Sequence, residues 1–382
     1  MSKFIIFGGA NYNTLGVIRC MTAQRIPFFL LLVSTSRFNM VLLSHGVTNY
    51  QIIKTEKDGI DFLLKNKEQN QNAVVFPTSD KAESLLDIYF DDLKEIYIFP
   101  HTSFAGGVNA IMDKCLQVQL AKQAGLNTPE TIFYTRGTKL PVKSIIYPCI
   151  IKQANSTTGQ KKILKICYNE MDLKSAIASN HHTQDFVIQR FINKDYELLL
   201  IGCRMPNGDI WIPGVFKKLR WYLNGGDASF GIISTKVTQY FQQLKEVQTF
   251  LCELGYVGPF SIEFGIENNT PFFYEINLRN DGTSHYFHKA GIFIPYIYYL
   301  ASINRLQVSD YAIRPIEYKF IDEFGDIVNL RATDLSVLQW LKDLKQAKVY
   351  KYYLKQDVKP FLAIAPRRIL SSIYKLLFYN TL

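Results

Sequence analysis

Four side chains in one short stretch have the types and spacing for phosphate chemistry: Glu263 on one β-rich run, and Glu275, Asn277 and Arg279 on the next. Between the runs, Asn268, Asn269, Thr270 and Pro271 predict a hairpin turn. Side chains two apart on a strand share a face, so Glu275, Asn277 and Arg279 point the same way, and Glu263 has only Gly265 beside it. Mg²⁺ is a hard ion that takes oxygen ligands in octahedral array and keeps phosphate oxygens in its shell. Glu263, Glu275 and Asn277 are therefore candidate ligands for such ions, with Mn²⁺ as a substitute. Arg279, just past them, carries a fork for a bidentate anion contact. The alternative for this stretch alone is a surface hairpin whose polar positions are solvated.

Cations upstream favour the phosphate reading. Pro148 opens a short apolar strand that ends at Lys152, where an ammonium emerges from a rigid edge and can neutralise phosphate charge. Residues 153–160 are small, polar and punctuated by Gly159, so their backbone N–H groups can drape over phosphates. A Walker A pattern is absent.

In order and spacing, these elements resemble the ATP-grasp superfamily over most of residues 105–300. In that family a Glu on one strand and a Glu-x-Asn on the next hold two magnesium ions. The resemblance makes Lys114, in Met112-Asp-Lys-Cys115 ahead of Gly125 and Pro129, the first ATP lysine, and Lys152 the second. Gln189, Arg190, Phe191 and Ile192 match the hinge whose backbone reads adenine, and Glu197 matches the acid that holds the ribose. The family more often has Glu at the position of Gln189. The resemblance implies an α/β and α+β protein: a pre-ATP-grasp α/β lobe, a two-subdomain ATP-grasp fold, and a basic C-terminal extension. It implies an ATP-dependent ligase that joins a small-molecule carboxylate to an amine through an acyl phosphate, releasing ADP and phosphate. Alternatives are a bicarbonate activator of the carbamoyl-phosphate-synthase or carboxylase kind, and a non-catalytic ATP-binding module.

The apolar runs at residues 4–7 and 28–33 flank a stretch of helical length at 14–25, which predicts a βαβ unit. Residues 74–80 continue the pattern as strand, loop and a helix capped near Ser79 or Asp80. The loop Gly8 to Gly16 lacks the Gly-x-Gly-x-x-Gly dinucleotide fingerprint. It lies at a strand end, where open α/β sheets bind ligands, so Asn11 and Asn13 are candidate substrate contacts, with Arg19 nearby. Lys218 and Arg220, alternating on a strand ahead of Gly225 and Gly226, are a second candidate set. Arg220 with Arg279 would hold a carboxylate and then its acyl phosphate, with Lys152 the third catalytic candidate; similar stretches occur in proteins resembling D-aspartate ligase. Ser284 follows the magnesium strand closely enough for substrate contact. His285 and His288 lack an evident third ligand and do not predict zinc.

At 382 residues several domains are expected, divided as 1–104, 105–185, 186–306 and 307–382. The composition is 48% hydrophobic and 20% charged, which supports a substantial core and excludes a disordered chain. Six scattered cysteines without a Cys-x-x-Cys pair, and a first strand close to residue 1 with no leader pattern, predict reduced thiols and a cytoplasmic setting. Gly291 to Ser302 is too short to span a bilayer and reads as a buried helix. From residue 341 onward nine Lys and Arg face two Asp and carry much of the net charge of +10. That tail reads either as a basic helical cap or as a segment lying on anionic lipid, and no nucleic-acid motif accompanies it. A homodimer is a further expectation.

Overall fold

The computed structural model describes residues 4–153, 163–222 and 227–378. The predicted phosphate loop with Gly159, and the glycine pair Gly225 and Gly226, lie outside these residues.

Apolar runs become strands, the central ones buried on both faces and the edge strand at Tyr50–Ile53 partly exposed. Five of them, β1 (Phe4–Gly9), β2 (Phe29–Val33), β3 (Tyr50–Ile53), β4 (Ala73–Pro77) and β5 (Tyr97–Ile98), form a parallel sheet in the order β3-β2-β1-β4-β5. Phe4, Ile5, Ile6 and Phe7 are each fully buried, as expected of a parallel sheet covered on both sides. The helix after β1 spans Tyr12–Ala23 and starts earlier than the apolar pattern implied, because Asn11 caps it by accepting from the Thr14 N–H. Ser79 caps the helix Asp80–Ile88 in the same way, as predicted.

A small antiparallel sheet holds β6 (Thr131–Thr135), β7 (Cys149–Gln153), β8 (Ile163–Cys167) and β9 (Asp185–Arg190) in the order β6-β9-β7-β8. The largest sheet runs β14-β13-β10-β11-β12-β15-β16, built from β10 (Tyr196–Arg204), β11 (Ile210–Trp221), β12 (Ala228–Ser234), β13 (Gly258–Glu267), β14 (Thr270–Asn277), β15 (Glu317–Ile321) and β16 (Val349–Tyr350). Asn268 and Asn269 close the β13–β14 hairpin with φ of 51° and 63°, the left-handed pair of a two-residue turn that asparagine tolerates. Residues beyond 307 supply two strands to this sheet, so the C-terminal segment is woven into the core and not only laid on it.

The buried helix Ile294–Ser302 joins the parallel sheet to the large one. Tyr299 meets Phe4 edge-on at 5.5 Å, and Tyr298 lies 5.8 Å from Phe76. Helix Tyr12–Ala23 packs on the turn Gly282–Ala290 closely enough that a Cβ on Gly16 would stand 2.8 Å from His285. The loops ending β1, β4 and β14 therefore converge.

Candidate active site

Glu263 of β13 and Glu275 of β14 are direct partners in the antiparallel register. Just beyond, a bulge makes Phe264 pair with Phe273 and leaves Tyr274 as the extra residue. The face beside Glu263, expected to be open over Gly265, is covered: a Cβ on Gly265 would lie 2.0 Å from the Tyr274 hydroxyl. Asn277 ends β14 opposite Ser261 and is 6% exposed.

Each carboxylate accepts from a lysine. Lys114 Nζ, at the start of helix Lys114–Gln123, lies 3.0 Å from Glu275 Oε2, and Lys218 Nζ of β11 lies 3.0 Å from Glu263 Oε2. One helical turn after Lys114, Gln117 donates to the Ile276 carbonyl at 3.0 Å and accepts from the Ile276 N–H at 3.1 Å. This amide fixes the helix to the strand that carries Glu275 and Asn277. Sequence reasoning missed it, since a glutamine on an amphipathic helix looks solvated; its spacing of three from Lys114 was the available signal. Lys152 Nζ donates to Gln189 Oε1 at 3.2 Å, joining the second lysine to the start of the hinge.

The hinge leaves β9 by hydrogen bonds from the Arg190 N–H to the Glu130 carbonyl and from the Phe191 N–H to the Pro148 carbonyl, and Ile192 is buried. Arg190 itself pairs with Glu130 and Glu267 and stacks over Phe272, so its side chain braces the hinge. Glu197 receives Lys194, the Trp221 indole at 3.0 Å and Lys218 at 3.6 Å. Burial pushes its carboxyl up, but Lys218 and Lys194 outweigh that and hold it below the usual range. Lys218, equally buried, is held above its ordinary value because Glu263 and Glu197 overcome the burial penalty.

Among the described residues no group of three or more His, Cys, Asp or Glu could hold a metal by itself. Two opposed carboxylates and an amide are an incomplete oxygen set. They suit a hard ion whose remaining ligands come from phosphates and water.

Lys218 and Arg220 do not share a face. A bulge after Lys218 pairs it with Gly231 but Arg220 with Phe230, so the alternation breaks. Arg220 lies over the Phe230 ring and binds Asp326 at 2.6 Å and Asp343 at 2.8 Å, apart from the glutamate pair. Its guanidinium is taken up in a buried ionic tie, where a substrate and catalytic contact was expected. Asn13 is likewise structural: its amide donates to the Thr78 carbonyl at 3.1 Å and the Asn280 carbonyl at 2.8 Å, locking together the loops after β1, β4 and β14. Asn11 is the helix cap described above. Ser284, 3% exposed, belongs to the packing between its turn and helix Tyr12–Ala23. His285 Nδ1 lies 2.7 Å from the Gly282 carbonyl and Nε2 3.2 Å from the Lys351 carbonyl; burial together with Arg19 pushes its pKa down to about 3, so the neutral ring donates to one of the two.

Arg279 reaches across to the parallel sheet's lobe and pairs with Asp80, at the start of helix Asp80–Ile88. Burial alone would lower its basicity, but Asp80 and Asp281 more than offset this. Beside it a cavity of about 340 Å³ is lined by Tyr12, Tyr222, Asp227, Lys351, Tyr352 and Arg368, among others. Tyr12 donates to Asp227 at 3.0 Å, and its ring abuts Gly282, which lies three residues after Arg279. Lys351 sits 4.2 Å from the Tyr12 ring centroid. Tyr12 and Lys351 had no sequence signal, since the Asp227 that both approach lies 215 and 124 residues from them.

The family model of the ATP-grasp domain matches residues 119–291. A formate-dependent phosphoribosylglycinamide formyltransferase from a Nitratiruptor species is 26% identical over 188 residues, which is 47% of this chain and 47% of that protein, so the match spans about half of that relative's length. N5-carboxyaminoimidazole synthetase from Staphylococcus aureus superposes with a TM-score of 0.67 at 16% identity, covering 86% of this chain and 84% of that one; it has also been crystallised with ADP. L-amino acid ligase from Bacillus licheniformis gives a TM-score of 0.61 at 16% identity, covering 83% and 78%. The domain match and the shared fold, together with the opposed glutamates and flanking lysines, identify residues 119–291 as an ATP-grasp domain.

Proposed function

We propose that this chain is an ATP-dependent ligase that joins a carboxylate to an amine through an acyl phosphate. The observation that carries the reading is the register pair Glu263–Glu275, with Lys114 and Lys218 at 3.0 Å on either side and Asn277 two residues further on. Lys114 and Lys152 would hold the nucleotide's phosphates, the hinge 189–192 its base, and Glu197 its ribose. Glu263, Glu275 and Asn277 would hold two Mg²⁺, which spread the charge of the transferring phosphoryl group. A carboxylate oxygen attacks the γ-phosphorus and ADP leaves; an amine then attacks the acyl carbon, phosphate leaves, and the amine's proton passes to solvent. Lys218, once its carboxylate partners bind metal and ribose, is placed to bind the substrate carboxylate.

The amine-bearing substrate would enter between Arg279 and the cavity at Tyr12, where Asp80, 65% exposed, offers an ammonium partner. Arg279 beside it suits an oxyanion. The names of the relatives, a formate-dependent transferase and an amino-acid ligase, support a small carboxylate and an amine as the pair joined.

Hydroxylamine in place of the amine tests the reading. With a competent carboxylate, hydroxamate and ADP should accumulate in step, and Glu275→Gln should reduce both on the order of 100-fold or more while the fold persists. Release of AMP, or ADP formation at a rate that no carboxylate in a broad screen alters, would overturn it.

A further inference from the structure

The last helix, Lys359–Phe378, has two apolar faces. One packs inward: Phe361 stacks on Phe324 at 5.2 Å, Ala365 is buried, and Arg368 covers Tyr352. The other carries Leu362, Ile369, Leu370 and Ile373 at 58%, 47%, 68% and 44% exposure. Their spacing of seven, eight and eleven places them on one stripe of the helix. Four large aliphatic side chains aligned toward solvent on a single helix indicate a surface that is covered in use.

Charge identifies what covers it. Between residues 351 and 376 the one acid is Asp357, and it is buried, bound by Arg19 at 2.9 Å, Ser44 at 2.8 Å and the His45 N–H at 3.1 Å. Lys355, Lys359, Arg367, Arg368 and Lys375 are all exposed. The apolar stripe is therefore bordered by positive charge with no exposed negative charge in that span. A second copy of this chain meeting the stripe face to face would bring the same positive field against itself. A surface that is apolar within and anionic at its rim satisfies both properties.

We propose that helix Lys359–Phe378 lies in the headgroup layer of an anionic bilayer, with Leu362, Ile369, Leu370 and Ile373 toward the acyl chains and Lys355, Lys359 and Arg367 among the phosphates. No helix among the described residues is long and apolar enough to cross a membrane, so the helix lies in the plane of the interface. Its cavity-side residues, Arg368, Ser371, Ser372 and Lys375, form one wall of the space at Tyr12 and Lys351. A docked helix would hold that space against the membrane surface. The inference does not depend on which reaction the enzyme performs.

The test is co-sedimentation of the full chain with vesicles of equimolar phosphatidylglycerol and phosphatidylcholine, and with pure phosphatidylcholine. Binding should occur to the anionic vesicles alone and weaken as salt is raised. The double substitution Leu370→Glu and Ile373→Glu changes exposed side chains only, so thermal unfolding should be unaltered while vesicle partitioning falls by about tenfold or more. As a second readout, Ile369→Trp should give blue-shifted fluorescence on addition of anionic vesicles. Three results would each overturn the proposal: no sedimentation with anionic vesicles, undiminished sedimentation of the double glutamate variant, or a dimer in sedimentation velocity that the double variant dissociates.

Discussion

Replacing Gln117 with leucine should loosen β14, the strand that carries Glu275 and Asn277, from the helix that carries Lys114. β14 is the edge of the seven-stranded sheet, so the Ile276 N–H and carbonyl face away from β13 and need partners elsewhere. The Gln117 amide supplies both, at 3.0 and 3.1 Å, from a side chain that is 2% exposed, and thus mimics one more strand backbone. Leucine fills nearly the same volume but pairs with neither group. Two unsatisfied buried backbone groups cost about 1–3 kcal/mol each, or about 2–6 kcal/mol together. Leucine's more favourable transfer into the same space offsets about 1–2 kcal/mol, leaving a loss on the order of 3 kcal/mol. Urea unfolding should show a lower midpoint at unchanged slope. Calorimetric titration with MgATP should show weakened binding, because Glu275 adjoins Ile276 and loses its fixed distance to Lys114. A variant within about 0.5 kcal/mol of the parent, binding nucleotide as tightly, would refute the clamp.

Arg220→Met should destabilise the fold by about 3–5 kcal/mol, since it leaves Asp326 a buried charge without its cation while Asp343 keeps Lys319, and should leave the nucleotide affinity of the folded protein unchanged. Normal thermal stability combined with a selective loss of substrate affinity would return Arg220 to the active site. The ion pair of Arg19 with Asp357 makes a pH prediction. Burial raises the Asp357 carboxyl, but Arg19 and the donors from His45 and Ser44 outweigh it and hold its folded pKa below the ordinary value. Its contribution is therefore complete above the unfolded pKa of about 4 and is lost as pH falls through the lower folded value. The stability gap between the parent and Asp357→Asn, followed by urea unfolding, should be constant from neutral pH to about 5 and narrow below about 4; a gap that widens on acidification would contradict this.

What could be read from the sequence was what local pattern determines. Unbroken apolar runs gave β1, β2 and β4, Ser79 marked its helix start, and paired asparagines marked the hairpin that opposes Glu263 and Glu275. Two kinds of information were out of reach. The first is the bulge. A period of two assumes an intact pleat, and the pleat is interrupted at Tyr274 and again after Lys218. At Tyr274 the interruption falls after Glu263 and leaves the carboxylates paired; after Lys218 it falls between the two cations and sends Arg220 to Asp326. The same rule thus succeeded on one hairpin and failed on the next, with no difference visible in residue type. The second is the distant partner. Asn13 and Asn280 are 267 residues apart, and Arg19 and Asp357 are 338 apart, yet each pair is buried and hydrogen-bonded. Polar residues in a strand-end loop look alike whether they await a ligand or tie loops together, because both tasks call for short, directional hydrogen-bonding groups. The partners separate them: Asn13 is held by backbone carbonyls and Arg220 by Asp326 and Asp343, groups for which no ligand is proposed. Lys218 is held instead by Glu263 and Glu197, which are themselves proposed to turn to metal and ribose when the nucleotide binds, so on the proposed function it is Lys218, not Arg220, that is freed for a substrate.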